Sequence, residues 1–266
     1  MTLRITILGS GSSSGVPALD YGWGDCDPNE PKNRRRRPGI LIERPDTDTR
    51  VLIDTPPDLR EQLLEAEIEH LTAVVYTHAH ADHLHGLDDL RGLNRRMQAP
   101  IPVYADQKTF DDIGGRFGYA LTPIPEKPDG SPPFYFKPVL YPQHVIAPGD
   151  EFQIEDIGFR VIDQDHGHSR TLGFRIGDFA YSTDVTRLDD AAFEVLAGAK
   201  LWIIGVLGWT EHPTHAHVDK AVEWVERVGA ERAVLGHLGP SIDYATLKGK
   251  LPAHIRPAYD GMVLEV

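Results

Sequence analysis

The chain has 266 residues, 41% of them hydrophobic, and a formal net charge of −13 at pH 7. A chain of this size and composition can bury the core of a globular protein, and we expect a single domain over residues 1–266. The acidic balance disfavours proteins that bind nucleic acid or anionic membranes generally, so an anionic substrate must be attracted locally, by metal ions or a few arginines.

The cysteine content and the first residues favour a cytoplasmic protein. Cys26 is the only cysteine, so no intrachain disulfide can form, and a reducing compartment is the simplest interpretation. The start of the chain lacks the charged and apolar regions of a signal peptide. No run approaches 18 apolar residues, so we expect no membrane span.

Hydrophobic patterning predicts two sets of strands with helices between them. The predicted strands are 3–8, 39–43, 50–54, 73–76, 151–162, 172–182, 201–204 and 233–235. The predicted helices are 56–65, 86–97, 191–197 and 218–228. A Gly/Ser loop at 9–17, an irregular stretch at 18–38 and a Pro-rich surface excursion or lid at 121–138 separate them. This order predicts two packed sheets with outer helices.

Three histidines and an aspartate follow the predicted strand 73–76 within six positions, as His78, His80, Asp82 and His83. In an extended segment His78 and His80 point the same way, and Asp82 and His83 fall where a helix is expected to begin. Neutral imidazole and carboxylate hold catalytic divalent metals while leaving room for water. The segment therefore predicts a metal centre at a sheet edge.

Ligand types recur at the ends of later strands. Asp184 follows the strand 172–182, and its two carboxylate oxygens could bridge two cations. His237 follows the strand 233–235. Either His166 or His168, just before residue 172, could complete the first metal site. Each residue alone is more typical of a turn or a helix cap, but the repeated pattern predicts two metal ions.

These residues, with Asp54 after the strand 50–54, resemble the motifs of the metallo-β-lactamase superfamily. The resemblance implies an α/β fold, an αββα sandwich of two mixed β-sheets with outer helices and a dinuclear site at one edge. It implies that one ion is bound by His78, His80 and His166, with His166 preferred to His168. The other ion would be bound by Asp82, His83 and His237, with Asp184 between the two.

The closer similarity is to PhnP-type phosphodiesterases, which act on ribosyl cyclic phosphates. It is carried by the Gly/Ser loop 9–17, the arginine run before Pro38, the tail after Gly236 and the segment Pro213-Thr214-His215. The resemblance implies hydrolysis of a small cyclic or nucleotide-like phosphodiester by a hydroxide held between two divalent ions, Zn²⁺ or Mn²⁺. It implies that His215 protonates the leaving group, and Asp82 is counted as catalytic as well as a ligand.

The same resemblance directs attention to substrate binding. Ser12 and Ser13 could offer backbone N–H groups to phosphate, although the loop could equally be a tight turn. Arg36 and Arg37 could steer an anion into the site, although a charge run is often only solvated. The expected partner is a small anionic phosphoester, and a homodimer is possible because dimers are common in the family.

The loop at 18–38 departs from the PhnP pattern. Members of that family can carry a structural zinc on clustered cysteines, whereas Cys26 alone cannot build such a site. We therefore expect no structural zinc, with Asp25, Asp27 and Asn29 holding the loop by hydrogen bonds. Two alternatives stay open, a ribonuclease Z-like tRNA-processing endonuclease and a non-hydrolytic PqqB-like cofactor-biosynthesis protein. No evident tRNA-binding arm and a complete ligand set weigh against them.

Overall fold

The computed structural model describes residues 2–123, 125, 127–131 and 140–266. The predicted excursion at 121–138 falls partly outside these residues. In chain order, the strands are β1 (Arg4–Gly9), β2 (Gly39–Arg44), β3 (Thr49–Ile53), β4 (Ala73–Val75), β5 (Ile101–Ala105), β6 (Leu140–Val145), β7 (Glu151–Ile154), β8 (Ile157–Asp165), β9 (Arg170–Ile176), β10 (Phe179–Ser182), β11 (Leu201–Gly208), β12 (Ala216–His217), β13 (Arg232–Gly236), β14 (Ile255–Pro257) and β15 (Met262–Glu265).

Helices connect and cover these strands. They are α1 (Leu59–Glu65), α2 (Ala81–Leu84), α3 (Leu90–Met97), α4 (Gln107–Phe117), α5 (Asp190–Leu196), α6 (Val218–Val228) and α7 (Tyr244–Lys250). Short 3-10 turns occur at Pro31–Asn33, Leu87–Asp89 and Gly118–Leu121. In the part of the chain that the structure describes, no helix combines the length and apolarity needed to cross a bilayer.

The strands form two mixed sheets. The first has the order β15-β1-β2-β3-β4-β5-β6, antiparallel from β15 to β3 and parallel from β3 to β6. The second has the order β14-β13-β11-β10-β9-β8-β7, with β12 added beside β11. Its strands are antiparallel from β7 to β10 and parallel from β10 to β14. This is the αββα sandwich of the metallo-β-lactamase fold, which confirms the predicted fold class.

Three apolar layers hold the sandwich together. The middle layer lies between the sheets and includes Ile5, Val51, Phe174 and Ile203. A second layer, around the fully buried Trp202, lies between the second sheet and its helices. A third layer covers the outer face of the first sheet. Since both sheets are covered on both faces, their central strands are continuous apolar runs, as the sequence shows for residues 201–204.

The predicted elements and the observed ones differ in instructive places. The helix α6 has the predicted bounds, 218–228, whereas the predicted strand 151–162 is a hairpin of β7 and β8 that turns at Glu155, where φ is +50°. The helix α4 was not predicted from the sequence. Its adjacent Gly114 and Gly115 lower helix propensity, but Phe110 and Ile113 are buried, so packing stabilises the helix.

Candidate metal centre

Two groups of metal-compatible side chains lie side by side at one edge of the sandwich, where β3, β4, β10 and β13 end. We call them group one and group two. Group one comprises His78, His80, His166 and Asp184. Group two comprises Asp82, His83, His237 and the same Asp184. Within each group, one ligand atom from every residue lies within 4.8 Å of the others. The fold thus brings together all seven residues that the sequence predicts as ligands, and it places His166 rather than the exposed His168 in group one.

Asp184 faces both groups with different oxygens. Its Oδ2 lies 3.7 Å from Nε2 of His78 and 3.6 Å from Nε2 of His166. Its Oδ1 lies 3.3 Å from Nε2 of His83 and 3.1 Å from Nε2 of His237. Ligands about 2.0–2.1 Å from a tetrahedral ion are spaced roughly 3.3 Å apart. The observed separations therefore suit a divalent ion in each group, and Asp184 would offer one oxygen to each.

Several buried polar atoms of the centre have no hydrogen-bond partner among the described residues. They are His78 Nε2, Asp82 Oδ2, His83 Nε2, His215 Nε2 and both ring nitrogens of His237. A buried polar atom without a partner costs about 1–3 kcal/mol, so proteins rarely tolerate a cluster of them. Metal coordination would satisfy four of these atoms without hydrogen bonds, namely Nε2 of His78, His83 and His237 and Oδ2 of Asp82, whereas His237 Nδ1 and His215 Nε2 lie outside that set. The donor set therefore fits divalent metal ions on an observation independent of the sequence motif.

Left-handed backbone conformations turn three side chains into the centre. Asp54 and His237 come directly after a strand and Asp184 comes one residue later, and their φ angles are +65°, +56° and +50° respectively. Residues other than glycine seldom adopt this region, because Cβ crowds the backbone there. Such conformations cluster at functional sites, where surrounding structure holds them in place. The backbone near these strand ends therefore adopts an unfavourable conformation that directs the three side chains towards the centre.

A second layer of contacts fixes the orientation of the histidine rings. Nδ1 of His83 donates to Oδ2 of Asp54 at 2.6 Å, and Asp54 also accepts hydrogen bonds from the backbone N and Oγ1 of Thr77. Nδ1 of His166 donates to the backbone oxygen of Thr214 at 2.7 Å. Because these Nδ1 atoms carry the protons, the Nε2 lone pairs point inward and are available to a metal.

The electrostatic surroundings favour the ligand forms of most of these groups. Burial lowers the pKa of His78, His80 and His166, which keeps these imidazoles neutral. Burial alone opposes ionisation of Asp184, but His237 and His83 hold the pKa of its carboxyl well below its usual range. Neutral imidazole and ionised carboxylate are the forms that bind metal. Burial opposes protonation of His83 and His237, but nearby carboxylates raise the pKa of both, so binding of a cation to group two would displace protons from these rings.

His215 lies against both groups. Its Nε2 is 3.3 Å from Oδ2 of Asp184, its ring stacks on His237 with centroids 5.0 Å apart, and its ring meets the edge of His166. Its Nδ1 is 2.7 Å from Oγ1 of Thr214. The competing His217 instead directly precedes α6, paired with Gly208. The structure therefore places His215 within reach of a group bound at the centre.

The contacts of the residues predicted to bind substrate give less support to that role, which stays a prediction. Ser12 is buried, and its backbone N donates to the oxygen of Leu238, next to His237, whereas Ser13 is exposed. The guanidinium of Arg36 pairs with Glu65 and Asp260. The guanidinium of Arg37 pairs with Asp58 at 3.0 Å. Both guanidinium groups are therefore paired with carboxylates of this chain.

A buried arginine organises the 18–38 loop, which the sequence did not indicate. Arg35 is 2% exposed, and its guanidinium donates to the backbone oxygen of Gly239 at 3.3 Å and to Oδ1 of Asn33 at 3.0 Å. Cys26 Sγ donates to the oxygen of Ile242 at 3.2 Å. The loop is thus tied to the segment that follows His237.

The acidic residues predicted to hold this loop have a smaller part. Asp27 accepts hydrogen bonds from the backbone and side chain of Asn29. Asp25 contributes through its backbone N, which donates to the oxygen of Pro240. A buried Arg-Asn-Cys cluster has no short sequence signature, because its partners lie about 200 positions along the chain.

Comparisons with known proteins agree with this geometry. The family model described as the beta-lactamase superfamily domain matches residues 49–238. The chain belongs to this superfamily. It also resembles the crystal structure of a new diphosphatase from the PhnP family, with a TM-score of 0.88 and 33% identity over 100% of this chain and 98% of that one. The predicted membership and the likeness to PhnP-type proteins are thereby confirmed.

More distant matches are similar in different respects. Zn²⁺-bound PqqB from Methylobacterium extorquens has a TM-score of 0.77 at 18% identity, over 99% of this chain and 100% of that one, and so shows the shared fold alone. The octanoyltransferase of Porphyromonas gingivalis is 34% identical over 98% of this chain but only 51% of its own length. The chain spans about half the length, or less, of the curated relatives it matches.

Proposed function

We propose that the protein is a metal-dependent hydrolase of small cyclic or nucleotide-like phosphodiesters. The observation that carries the proposal is the position of Asp184, whose two oxygens face two separate groups of imidazole and carboxylate donors. Two adjacent ions held this way are typical of enzymes that displace a phosphoester oxygen in line.

The charge of the centre supports an anionic substrate. Asp82 and Asp184 supply two negative charges, whereas two divalent ions would supply four positive ones, so that an excess of one positive charge would remain even with a bound hydroxide. This local positive charge lies in a chain whose net charge is −13, so it can draw an anion to one place on an otherwise repelling surface. When bound, the ions would activate a water and neutralise the phosphate oxygens.

The side chains of the chain supply the orientation and the proton. His215 faces Oδ2 of Asp184 and can carry a proton on Nε2, from which it passes to the oxygen of the leaving group. The Thr214 hydroxyl holds the other ring nitrogen and sets the plane of the ring. Asp54 fixes the ring of His83 in the same way. Asp82, on the side of group two, helps define where the reacting group sits.

The names of the relatives support phosphoester chemistry unequally. The diphosphatase is similar over nearly its whole length, so its chemistry is the better guide to this chain. The match covers only 51% of the octanoyltransferase. The unmatched half of that protein is therefore an equally good candidate for the activity in its name. We therefore propose phosphoester hydrolysis with Zn²⁺ or Mn²⁺ rather than acyl transfer.

Hydrolysis assays test the proposal. The protein loaded with Zn²⁺ or Mn²⁺ should hydrolyse bis-p-nitrophenyl phosphate and ribosyl 1,2-cyclic phosphates, and His78→Ala should abolish this activity. Absence of turnover with a full complement of metal contradicts the proposal. Cleavage of a tRNA precursor in preference to the small esters favours the ribonuclease Z alternative. Retention of less than about one metal equivalent revives the non-hydrolytic PqqB-like alternative.

A further inference from the structure

A cleft of about 470 Å³ lies beside the edge strand β14, between α7 and the segment that leads into β15. We call it the α7 cleft. Among the described residues, none of the seven predicted metal ligands and no carboxylate lines this cleft. Its charged side chains are all basic, namely Lys32, Lys248 and Arg256. The other walls are aromatic or apolar and include Tyr244, Leu251, Ile255, Tyr259 and Met262.

Regular secondary structure places two of these cations at the cleft. Tyr244 and Lys248 are four residues apart on α7, so their side chains lie on the same face of the helix. Arg256 is the exposed middle residue of β14, between the buried Ile255 and Pro257. In the part of the chain that the structure describes, neither Lys248 nor Arg256 forms an ion pair with a carboxylate. Both side chains are therefore available to a ligand in the cleft.

Aromatic rings, rather than a carboxylate, hold the third cation in place. Nζ of Lys32 lies 4.7 Å from the ring centroid of Tyr244 and 4.5 Å from that of Tyr259. The two rings meet edge to face, with centroids 6.2 Å apart. A ring attracts an ammonium through its quadrupole and leaves the full positive charge uncancelled. An ammonium has three N–H donors, and Nζ uses one of them on Oη of Tyr244 at 3.4 Å, so Lys32 can also donate to an anion.

The charge of the α7 cleft is not balanced by carboxylates. Asp243 and Asp260, which adjoin the two tyrosines in sequence, accept hydrogen bonds from Asn33 and Arg36, respectively. By contrast, the cleft between α1 and the first sheet is lined by three arginines and four glutamates. Three unbalanced cations in a chain of net charge −13 create a local positive potential, which concentrates anions at this place.

We propose that the α7 cleft binds a small organic phosphate at a site separate from the metal centre. A phosphate monoester carries about two negative charges and three acceptor oxygens, which suits three cations better than a carboxylate does. Arg256 supplies a planar fork of donors, and the two lysines supply point charges. The apolar wall covers the carbon skeleton of the ligand, and the volume lies within the range of small-molecule sites, about 300–1,000 Å³. The inference goes beyond the proposed hydrolysis and does not depend on it.

A matched pair of variants on α7 tests the site. Phenylphosphonate is the probe, because it joins a phosphonate to an apolar ring through a bond that hydrolases of phosphoesters do not cleave. Calorimetry of the Zn²⁺-loaded protein should show that Lys248→Met weakens binding in the cleft about tenfold, the loss of one charged hydrogen bond. Lys250→Met removes the same charge from the same helix, but Lys250 lies over the ring of Trp209 and outside the cleft, so its loss should weaken binding less than about twofold. Equal losses in the two variants overturn the proposal.

Further arms separate the α7 cleft from the metal centre and define its ligand. Asp184→Ala removes the residue that both ligand groups share, so binding that is sensitive to Lys248→Met should persist in it, and its loss overturns the proposal. Methylphosphonate lacks the ring and benzoate lacks the second charge, so each should bind in the cleft at least about tenfold more weakly than phenylphosphonate. Equal affinity for either of them overturns the assignment to an organic phosphate. Cleft binding in a protein that hydrolyses no phosphodiester upholds this site and contradicts the proposed function alone.

Discussion

The two ligand groups share Asp184 but differ in composition and surroundings. Group one has three histidines and one carboxylate oxygen, and its His80 is exposed to solvent. Group two has two carboxylates, every member is buried, and Asp54 braces its His83 from behind. Charge attraction is stronger where water is excluded, and a carboxylate partner raises the basicity of a ligand histidine. We predict from this comparison that group two would hold a divalent ion more tightly than group one.

The largest expected effect comes from removing the residue that the groups share. In Asp184→Ala neither group keeps its full donor set, so bound metal should fall from two equivalents to below one, and phosphodiesterase activity by about 10³-fold or more. Metal analysis and kcat measure this. Asp82→Ala is the control, because it removes a donor from group two alone. Two tightly bound ions in Asp184→Ala would contradict a shared role of Asp184 in the two groups.

Removing His215 should affect catalysis while sparing both ions. Its Nε2 contacts Asp184, but the residue belongs to neither group. His215→Ala should lower kcat by about 10²- to 10³-fold, the range for loss of a general acid, with two equivalents of metal retained. His217→Ala serves as control and should keep activity near wild type. Loss of an ion in His215→Ala would instead make this residue part of the metal centre.

Replacing Asp54 sharpens the comparison, because it contacts the ring of His83 in group two directly but reaches His78 in group one only through the Thr77 hydroxyl. Asp54→Asn keeps the size of the side chain but removes the carboxylate that orients His83. Loss of such a partner typically costs 10- to 100-fold in metal affinity, so about that weakening is expected for one ion. Chelator competition should show one ion weakened more strongly than the other. Equal weakening of both ions contradicts the asymmetry of the two groups.

The smallest effect concerns the loop tied behind His237. Burial raises the pKa of the Cys26 thiol, with Arg35 partly offsetting that shift, so the group stays protonated at neutral pH, and the protonated form is unreactive. The native protein should react with a thiol reagent at least about tenfold more slowly than the protein unfolded in denaturant. Stopped-flow or manual absorbance kinetics measure the ratio. Equal rates would show that the loop does not cover Cys26.

The local sequence predicts most of the metal-compatible side chains but few of the contacts that surround them. The motif from His78 to His83 is short, so its ligand types and their alternation are visible without a structure. The choice of His166 depends on the turn at Gly167, where φ is +73°, which separates His166 from the exposed His168. Arg36 was predicted to steer substrate, yet it meets Asp260, 224 positions away, and no local pattern could show this.

By itself, the sequence determined the superfamily, the order of the elements and the donor types that follow each strand, because these depend on residues close together along the chain. Only the tertiary structure decided which oxygen of Asp184 faces which group and that Arg35 is buried. Those outcomes depend on distant segments that meet when the two sheets pack, and the free energy of that packing is spread over the whole core.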